Sequence, residues 1–230
     1  MVQFWLALLV FIGSHAISRT ALRSRMIRLA GERTYFIAYS LVSLILLCWL
    51  IYAAIQAPRI ALWPWMHALY WIPNLFMPLA CILLISGFVI PNPLSLMPRD
   101  HGFDPEKPPM MIAVTRHPVL WGFFLWSASH IFPNGDFPLA FMFLIFALFA
   151  LAGTKMIDKK RQRTHGIEWN TLSAHTANLP FSSGSFWRGK FSFGKRDFAG
   201  IAGGLLFYAA FFYLHHIFFS ITPMPPLPRF

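Results

Sequence analysis

The stretch PVLWGFFLWSASHIFPNGDFPLAFMFLIFALFALAGTKMI, residues 118–157, decides the fold of this chain. Two apolar runs flank the turn PNGDFP, and neither run has the polar face that a surface helix of a soluble domain needs. The turn residues Asn134, Gly135 and Asp136 suit a tight connection between helices. The stretch therefore predicts a transmembrane hairpin, with one span at about 118–132 and the next at about 139–157.

Four further runs have the same apolar character, at about 2–17, 35–56, 73–90 and 198–221. A bilayer core ~30 Å thick needs about 20 apolar helical residues to cross it. We therefore predict an all-α fold, a polytopic transmembrane helical bundle of about six spans, which forms a single domain over residues 1–230. The first run is expected to be a retained span, because no basic region precedes it and no small-residue cleavage site follows it.

The composition agrees with a membrane solvent, since 57% of the residues are hydrophobic and only 12% are charged. The two cysteines, Cys48 and Cys81, each lie alone in an apolar run, so no CxxC redox motif and no thiolate metal cage is available. We predict that both are buried, reduced and structural.

The net charge of +11 comes from nineteen Lys and Arg residues, most of which lie between the apolar runs. Basic residues are concentrated at 19–33 and in the loop at about 155–197, and such loops remain on the cytoplasmic side. Six spans then place both termini on the non-cytoplasmic side. The charge thus indicates orientation and contact with anionic lipid heads, and it does not favour nucleic-acid binding. Within the long loop, residues 166–181 are expected to form a helix or turn on the membrane surface.

Histidines are almost the only ionisable residues inside the apolar runs, and intramembrane ionisable residues are functional candidates by default. His15, His130 and His215 lie within runs, His216 follows directly, and His117 begins the fourth run in TRHP. Neutral imidazole suits transition metals and haem iron, and no carboxylate lies within a core run. Because haem iron needs only one or two axial histidines, the pattern favours haem.

Gly122, Trp126 and His130 recur every fourth residue and so share one helical face, where the glycine leaves room for a flat macrocycle. His117 and His130 point in different directions, about 220° apart around the helix, which predicts different roles. The alternative for a lone membrane histidine is a hydrogen bond to a backbone carbonyl, and for His117 it is a helix start before Pro118. The loop histidines are expected to be solvated or interfacial: His101, His165 and His175.

The stretch TRHPVLWGFFLWSASHIFPNGD, the run DKKRQR, GSHAIS in the first span and LHHIFFSITP near the end resemble the NnrU family of membrane proteins. That family is similar to the zeta-carotene isomerases, which are haem b enzymes. The resemblance implies that His15 and His130 are haem ligands, that His117 matches a third signature histidine, and that His215 matches a histidine of many relatives. The proposed alternative thiolate ligand of the isomerases falls here on Ser127, so ligand exchange through that thiolate is impossible.

Depth leaves the axial pair open. We count His15 inward from the outer end of the first span and His130 outward from the inner end of the fourth, at ~1.5 Å per residue. In a ~30 Å core the two histidines then lie at depths that differ by about 11 Å. By depth alone His130 pairs better with His215, which is the alternative ligand. Arg116 and His117 are expected to bind a haem propionate or another polar ligand near the cytoplasmic face.

The expected function is that of a haem b protein of the bacterial inner membrane with redox-gated chemistry. Its substrate would be a polyene or another lipid-like molecule, or the protein would serve nitrite and nitric oxide metabolism in denitrification. RHP before a hairpin also resembles the isoprenylcysteine methyltransferases, so Arg116 and His117 could instead contact S-adenosylmethionine. Glu168 then stands alone where that family has an acidic pair. A non-enzymatic haem carrier or assembly factor is the third alternative.

Overall fold

The computed structural model describes residues 1–17 and 21–224, and these form ten α-helices without a β-strand. The helices are α1 Val2–Ile17, α2 Ala21–Ala30, α3 Glu32–Ile55, α4 His67–Val89, α5 Met110–Val114, α6 Pro118–Ile131, α7 Phe137–His165, α8 Glu168–Ser173, α9 Gly184–Trp187 and α10 Lys195–Phe219. The predicted all-α fold class is confirmed. Each of the six apolar runs of the sequence overlaps one of these helices.

Four helices of the described chain, α3, α4, α7 and α10, are long and apolar enough to cross a membrane. The other two predicted spans are shorter, since α1 has 16 residues and α6 has 14. Their lengths of ~24 and ~21 Å fall below the ~30 Å of a bilayer core. The structure thus supports a polytopic membrane protein with four candidate spans.

The helix α7 is longer than a bilayer core requires. Its 29 residues extend ~44 Å, and the span predicted within it ends at Ile157, two residues after Lys155. The remaining turns, residues 158–165, carry Asp158 and four basic residues, namely Lys159, Lys160, Arg161 and Arg163. This charged end therefore extends beyond the membrane-spanning part of the helix.

The described chain separates into two compact units, and the first comprises residues 1–64 and 135–142. In it α1 packs against α3, and the ring of Trp5 lies 5.4 Å from that of Phe141 at the start of α7. The turn before α7 is held by hydrogen bonds from Leu62 N to Gly135 O and from Phe137 N to Ile60 O. This unit thus contains the N-terminal helices and the first turns of α7.

The second unit, residues 65–134 and 143–230, contains α4 packed against both α6 and α10. Glycines allow this close approach, because a methyl group at Gly122 of α6 would lie 2.9 Å from Ala80 O of α4. On the other side, a methyl group at Gly204 of α10 would lie 2.7 Å from Ile82 N. The central helix α4 thus contacts its two neighbours through backbone rather than through long side chains.

The prediction that both cysteines are buried is wrong for one of them. Cys81 is buried where α4 meets α10, but Cys48 is exposed, and both are free thiols. The reason is that α3 presents much of its surface away from the protein, as a lipid-facing helix does. An apolar run alone therefore does not separate residues buried in protein from residues that face lipid.

Candidate functional site

The first site residues lie where α6 begins. Pro118 occupies the first helical position, where its missing N–H costs nothing, and His117 precedes it in a non-helical conformation. Asn92 donates from Nδ2 to Arg116 O at 2.8 Å, which fixes the approach to the helix. The side chain of His117 is 1% exposed, so this histidine points into the protein. Both sequence interpretations of His117, a helix start and a buried polar site, are thus compatible with its position.

The carboxylate of Asp158, in the charged end of α7, joins three side chains. His117 Nε2 lies 2.7 Å and Arg116 Nε 2.9 Å from Asp158 Oδ1, while Asn178 Nδ2 donates to Oδ2 at 2.8 Å. Arg116 also donates from Nη1 to Thr176 Oγ1 at 3.2 Å. Residues far apart in sequence therefore form one partly buried cluster, which we call the RHD cluster: Arg116, His117, Asp158, Thr176 and Asn178.

Electrostatics fix the proton of His117. Burial by itself raises the pKa of Asp158, but the hydrogen bonds from His117, Asn178 and Arg116 outweigh it and lower the pKa to about 2. An ionised carboxylate only accepts hydrogen bonds, so Nε2 of His117 carries a proton. In the neutral ring Nδ1 is then a lone-pair acceptor, and it is buried without a hydrogen-bond partner among the described residues. Within the described residues, this nitrogen is the one fully buried side-chain atom of the RHD cluster that has no hydrogen-bond partner.

The loop after α8 holds the cluster from the other side. The carbonyl oxygen of Asn178 accepts hydrogen bonds from Thr115 Oγ1 and from Trp121 Nε1, each at 2.8 Å. The guanidinium of Arg116 lies 5.4 Å from the ring centre of Trp169, within cation–π range. Within residues 166–181 only Glu168–Ser173 is helical and the rest forms turns, and this segment supports the RHD cluster.

Two histidines, near the C-terminal ends of α6 and α10, are protonated on Nδ1, whereas His117 is protonated on Nε2. His130 Nδ1 lies 2.7 Å from Trp126 O, and His215 Nδ1 lies 2.8 Å from Ile221 O. A carbonyl only accepts, so Nδ1 is protonated in both rings and Nε2 of a neutral ring keeps its lone pair. Neither Nε2 has a hydrogen-bond partner within residues 1–17 and 21–224. The two rings lie close enough for their charged forms to repel each other.

His15 repeats this arrangement in the first unit, where its Nδ1 lies 2.8 Å from Phe11 O. Its ring packs 4.7 Å from the ring of Phe11 and 6.0 Å from that of Tyr39. His130 and His215 belong to the second unit. The pairing of His15 with His130 therefore stays a prediction, whereas His130 and His215 are neighbours within one unit.

Aromatic rings surround His130. Phe143 lies 5.2 Å from its ring, and Trp126 packs against both Phe143 and Phe146. The space beside Gly122, which the sequence offers to a macrocycle, is taken by Leu84 and the backbone of α4. In this structure Gly122 therefore serves helix packing, and the aromatic rings supply the apolar surroundings of His130.

Three residues of the RHD cluster have no feature in the sequence that marks them as site residues: Asp158, Thr176 and Asn178. Asp158 lies in a basic run of the sequence. In the structure it lies at helical spacing from two buried residues, Thr154 and Arg161, and so on the inward side of α7. His175 is not fully solvated, because its side chain is 15% exposed and its Nδ1 lies 2.8 Å from Ser185 Oγ, while an interfacial position stays a prediction. These contacts join loops to distant helices, and no local pattern in the sequence encodes such pairings.

The fold and these histidines define a class of protein: a polytopic helical membrane protein with polar groups placed at the ends of apolar helices. A comparison with known families matches residues 3–223 to the family described as NnrU protein, so the chain belongs to the NnrU family. No curated protein and no solved structure matches it.

Proposed function

We propose that this NnrU-family protein binds haem b through histidines at the ends of its apolar helices. The observation that carries the proposal is the pair His130 and His215, whose Nδ1–H groups are bound to main-chain carbonyls while each Nε2 has no partner among the described residues. A backbone carbonyl on one imidazole nitrogen is the usual support for a histidine that ligates a metal through the other.

The donor set fits haem better than a bare metal ion. Within the described part of the chain, no three His, Cys, Asp or Glu residues are grouped so that they could hold a metal ion. Haem iron has four ligands from its own macrocycle, so one or two imidazoles suffice. The rings of Trp126, Phe143 and Phe146 beside His130 provide the apolar surroundings that a macrocycle needs.

Two pairs of histidines would be able to hold the haem iron. His130 with His215 is the pair that lies within one unit, where the two rings are close enough for their charged forms to repel each other. His15 with His130 is the pair that the resemblance implies, and His15 has the same Nδ1 support from Phe11 O. Bound haem would supply a redox-active iron centre. The protein would orient the imidazoles and exclude water from an apolar or small-molecule substrate.

The proposal includes six spans with both termini on the non-cytoplasmic side of a bacterial inner membrane. It extends the four candidate spans by α1 and α6, which helix packing and a slightly thinner bilayer would accommodate. With α6 as a span, the basic end of α7 lies on the same side as the basic residues of α2. That shared side supports the six-span arrangement.

A second candidate function is S-adenosylmethionine-dependent methyl transfer at the RHD cluster. One observation favours it: Arg116 and His117 lie together, and His117 Nδ1 is an unused acceptor within the described residues. Against it, Nε and Nη1 of Arg116 are bound to Asp158 and Thr176, and Glu168 is exposed on α8. Haem binding is therefore the function that we put first, with isomerisation of a polyene or a step on nitrogen oxides as the proposed chemistry.

An absorption spectrum of the purified full chain, produced with haem supplied and recorded oxidised and dithionite-reduced, tests the proposal. We expect a Soret band and a sharp α-band in the reduced state. His130→Ala should abolish both bands. His215→Ala and His15→Ala then identify the second ligand, because only the ligating histidine alters the spectrum.

The matched control is His216→Ala, since His216 is the exposed neighbour of His215 and should leave the spectrum unchanged. A colourless wild-type protein would overturn the haem proposal. In that case, binding of S-adenosylmethionine that is lost in His117→Ala would support the methyltransferase alternative.

A further inference from the structure

The short helix α2 presents an apolar face that no described part of the protein covers. Leu22, Met26 and Leu29 follow one another at helical spacing, and their exposed fractions are 48%, 41% and 89%. The partly buried Arg23 and Ile27 lie about 110° around the helix from this face, and Arg23 contacts α3. The helix is therefore amphipathic, with its apolar residues turned away from its own protein.

The arginines of α2 fall into two kinds. Arg23 binds back to α3, because Nη2 lies 3.9 Å from Glu32 Oε1 and the guanidinium lies 5.8 Å from the ring centre of Tyr35. Arg25 and Arg28 are exposed on the flank of the apolar face and make no hydrogen bond or ion pair with any described residue. Arg23 thus fastens the helix, while Arg25 and Arg28 remain available to a ligand.

We propose that α2 binds anionic phospholipid, with Arg25 and Arg28 on the headgroup phosphates and with Leu22, Met26 and Leu29 in the boundary between headgroups and acyl chains. Guanidinium groups bind phosphate through paired hydrogen bonds, and a basic helix with an exposed apolar face lies in the bilayer interface. The helix directly precedes α3, a candidate span, so its position in the chain keeps it at the membrane. The proposal does not depend on haem binding.

Charge and polarity together favour lipid over other occupants. Nucleic acid would use the arginines but would leave the three apolar side chains in water. A free anion such as inorganic phosphate would likewise leave them exposed. An anionic phospholipid is the ligand that satisfies both faces of α2, because it offers a phosphate and acyl chains in one molecule.

A titration with short-chain lipids tests the proposal on the full chain in a neutral detergent. Leu29→Cys is labelled with an environment-sensitive fluorophore in a Cys48→Ser background, because Cys48 is exposed while Cys81 is buried. We expect short-chain phosphatidylglycerol to shift the emission to the blue at concentrations where phosphatidylcholine has no effect. Arg25→Gln with Arg28→Gln should raise the apparent Kd by about 30-fold, since each arginine near an anionic surface contributes ~1 kcal/mol.

The control variant Arg188→Gln with Lys190→Gln removes the same charge from exposed residues after α9 and should leave the titration unchanged. Equal responses to the two lipids, an equal response to inorganic phosphate, or an unchanged Kd in the Arg25/Arg28 variant would overturn the proposal. Equal losses in both double variants would reduce the effect to net charge and would also overturn it.

Discussion

The residues of the RHD cluster show how one carboxylate organises a site. Asp158 accepts from His117, Arg116 and Asn178, whose three donor atoms all lie within 2.9 Å of its oxygens. The side chain of Asp158 is 19% exposed and that of Arg116 is 14% exposed, so solvent screens these interactions only in part. Removing the charge of Asp158 should therefore destabilise the fold, and it should also release the constraint that keeps the proton of His117 on Nε2.

We expect Asp158→Asn to destabilise the protein by about 2 kcal/mol, since charge-assisted hydrogen bonds to a partly buried carboxylate are lost and the Arg116 guanidinium loses its counter-ion. Thermal unfolding in detergent measures this effect. Glu168→Gln is the matched control, because Glu168 is an exposed acid on the next helix and should change the unfolding temperature little. Equal effects of the two substitutions would contradict a special role of Asp158.

The pH dependence of stability gives an independent test of the same carboxylate. The pKa of Asp158 is lowered from 3.8 to about 2 in the folded protein, so its charge stabilises the fold above the unfolded pKa. This contribution, about 2 kcal/mol, is lost as the pH falls from about 4 to about 2. The difference in unfolding free energy between wild type and Asp158→Asn should therefore shrink across that range. A difference that stays constant from pH 5 to pH 2 would show that Asp158 has no lowered pKa.

Sequence reasoning reached some of these residues because a histidine in an apolar run is chemically conspicuous. His117, His130 and His215 were all selected on that ground. Asp158 could not be selected in the same way, because it lies 41 residues from His117 and is flanked by Ile157 and Lys159 in a basic run. Its role depends on how α7 packs beside the start of α6, and that is a property of the tertiary structure.

At the scale of elements, glycine contacts decide how closely α4 and α10 approach. A methyl group at Gly204 would lie 2.7 Å from Ile82 N and 2.9 Å from Cys81 O, and backbone atoms cannot move aside separately. At the neighbouring Gly203, the nearest atom to an added methyl is the side-chain Cγ2 of Ile85, at 3.1 Å. The two adjacent glycines thus differ in what a methyl group would meet.

We expect Gly204→Ala to destabilise the protein by about 1–3 kcal/mol, because overpacking forces the two helices apart. Gly203→Ala is the matched control, since the Ile85 side chain can shift and alanine favours helix over glycine by up to ~1 kcal/mol. Unfolding curves of both variants in detergent distinguish them. If Gly204→Ala were as stable as Gly203→Ala, the close approach of α4 and α10 would not hold in the protein.

The helices themselves were predictable where an apolar run is long, as in α3 and α10, because continuous hydrophobicity over about 20 residues is typical of a membrane-spanning helix. The short helices α2, α5 and α9 were not predicted, since four to ten residues give little periodic signal. The charged extension of α7 beyond Ile157 was also assigned to a loop. Apolar runs therefore locate spans but do not locate the helix ends that carry the RHD cluster.

At the scale of the whole molecule, the two short helices decide the topology. Only α3, α4, α7 and α10 meet the length and composition of a span in the described chain. If α1 and α6 did not cross, α7 would run outward and would carry its basic end, residues 158–165, to the side opposite the basic residues of α2. If both cross, the basic segments share one side, as the excess of Lys and Arg on cytoplasmic loops requires.

Single cysteines distinguish the two topologies in cells that express the full chain. In a Cys48→Ser, Cys81→Ser background, Asp136→Cys marks the turn between α6 and α7, Lys159→Cys marks the end of α7, and Arg25→Cys marks α2. Six spans predict that a membrane-impermeant maleimide labels intact spheroplasts at position 136 alone, while positions 159 and 25 react only after permeabilisation. Four spans without α1 and α6 predict the reverse for positions 136 and 159. Labelling at position 159 in intact spheroplasts would therefore exclude α6 as a span and, with it, the six-span arrangement that we propose.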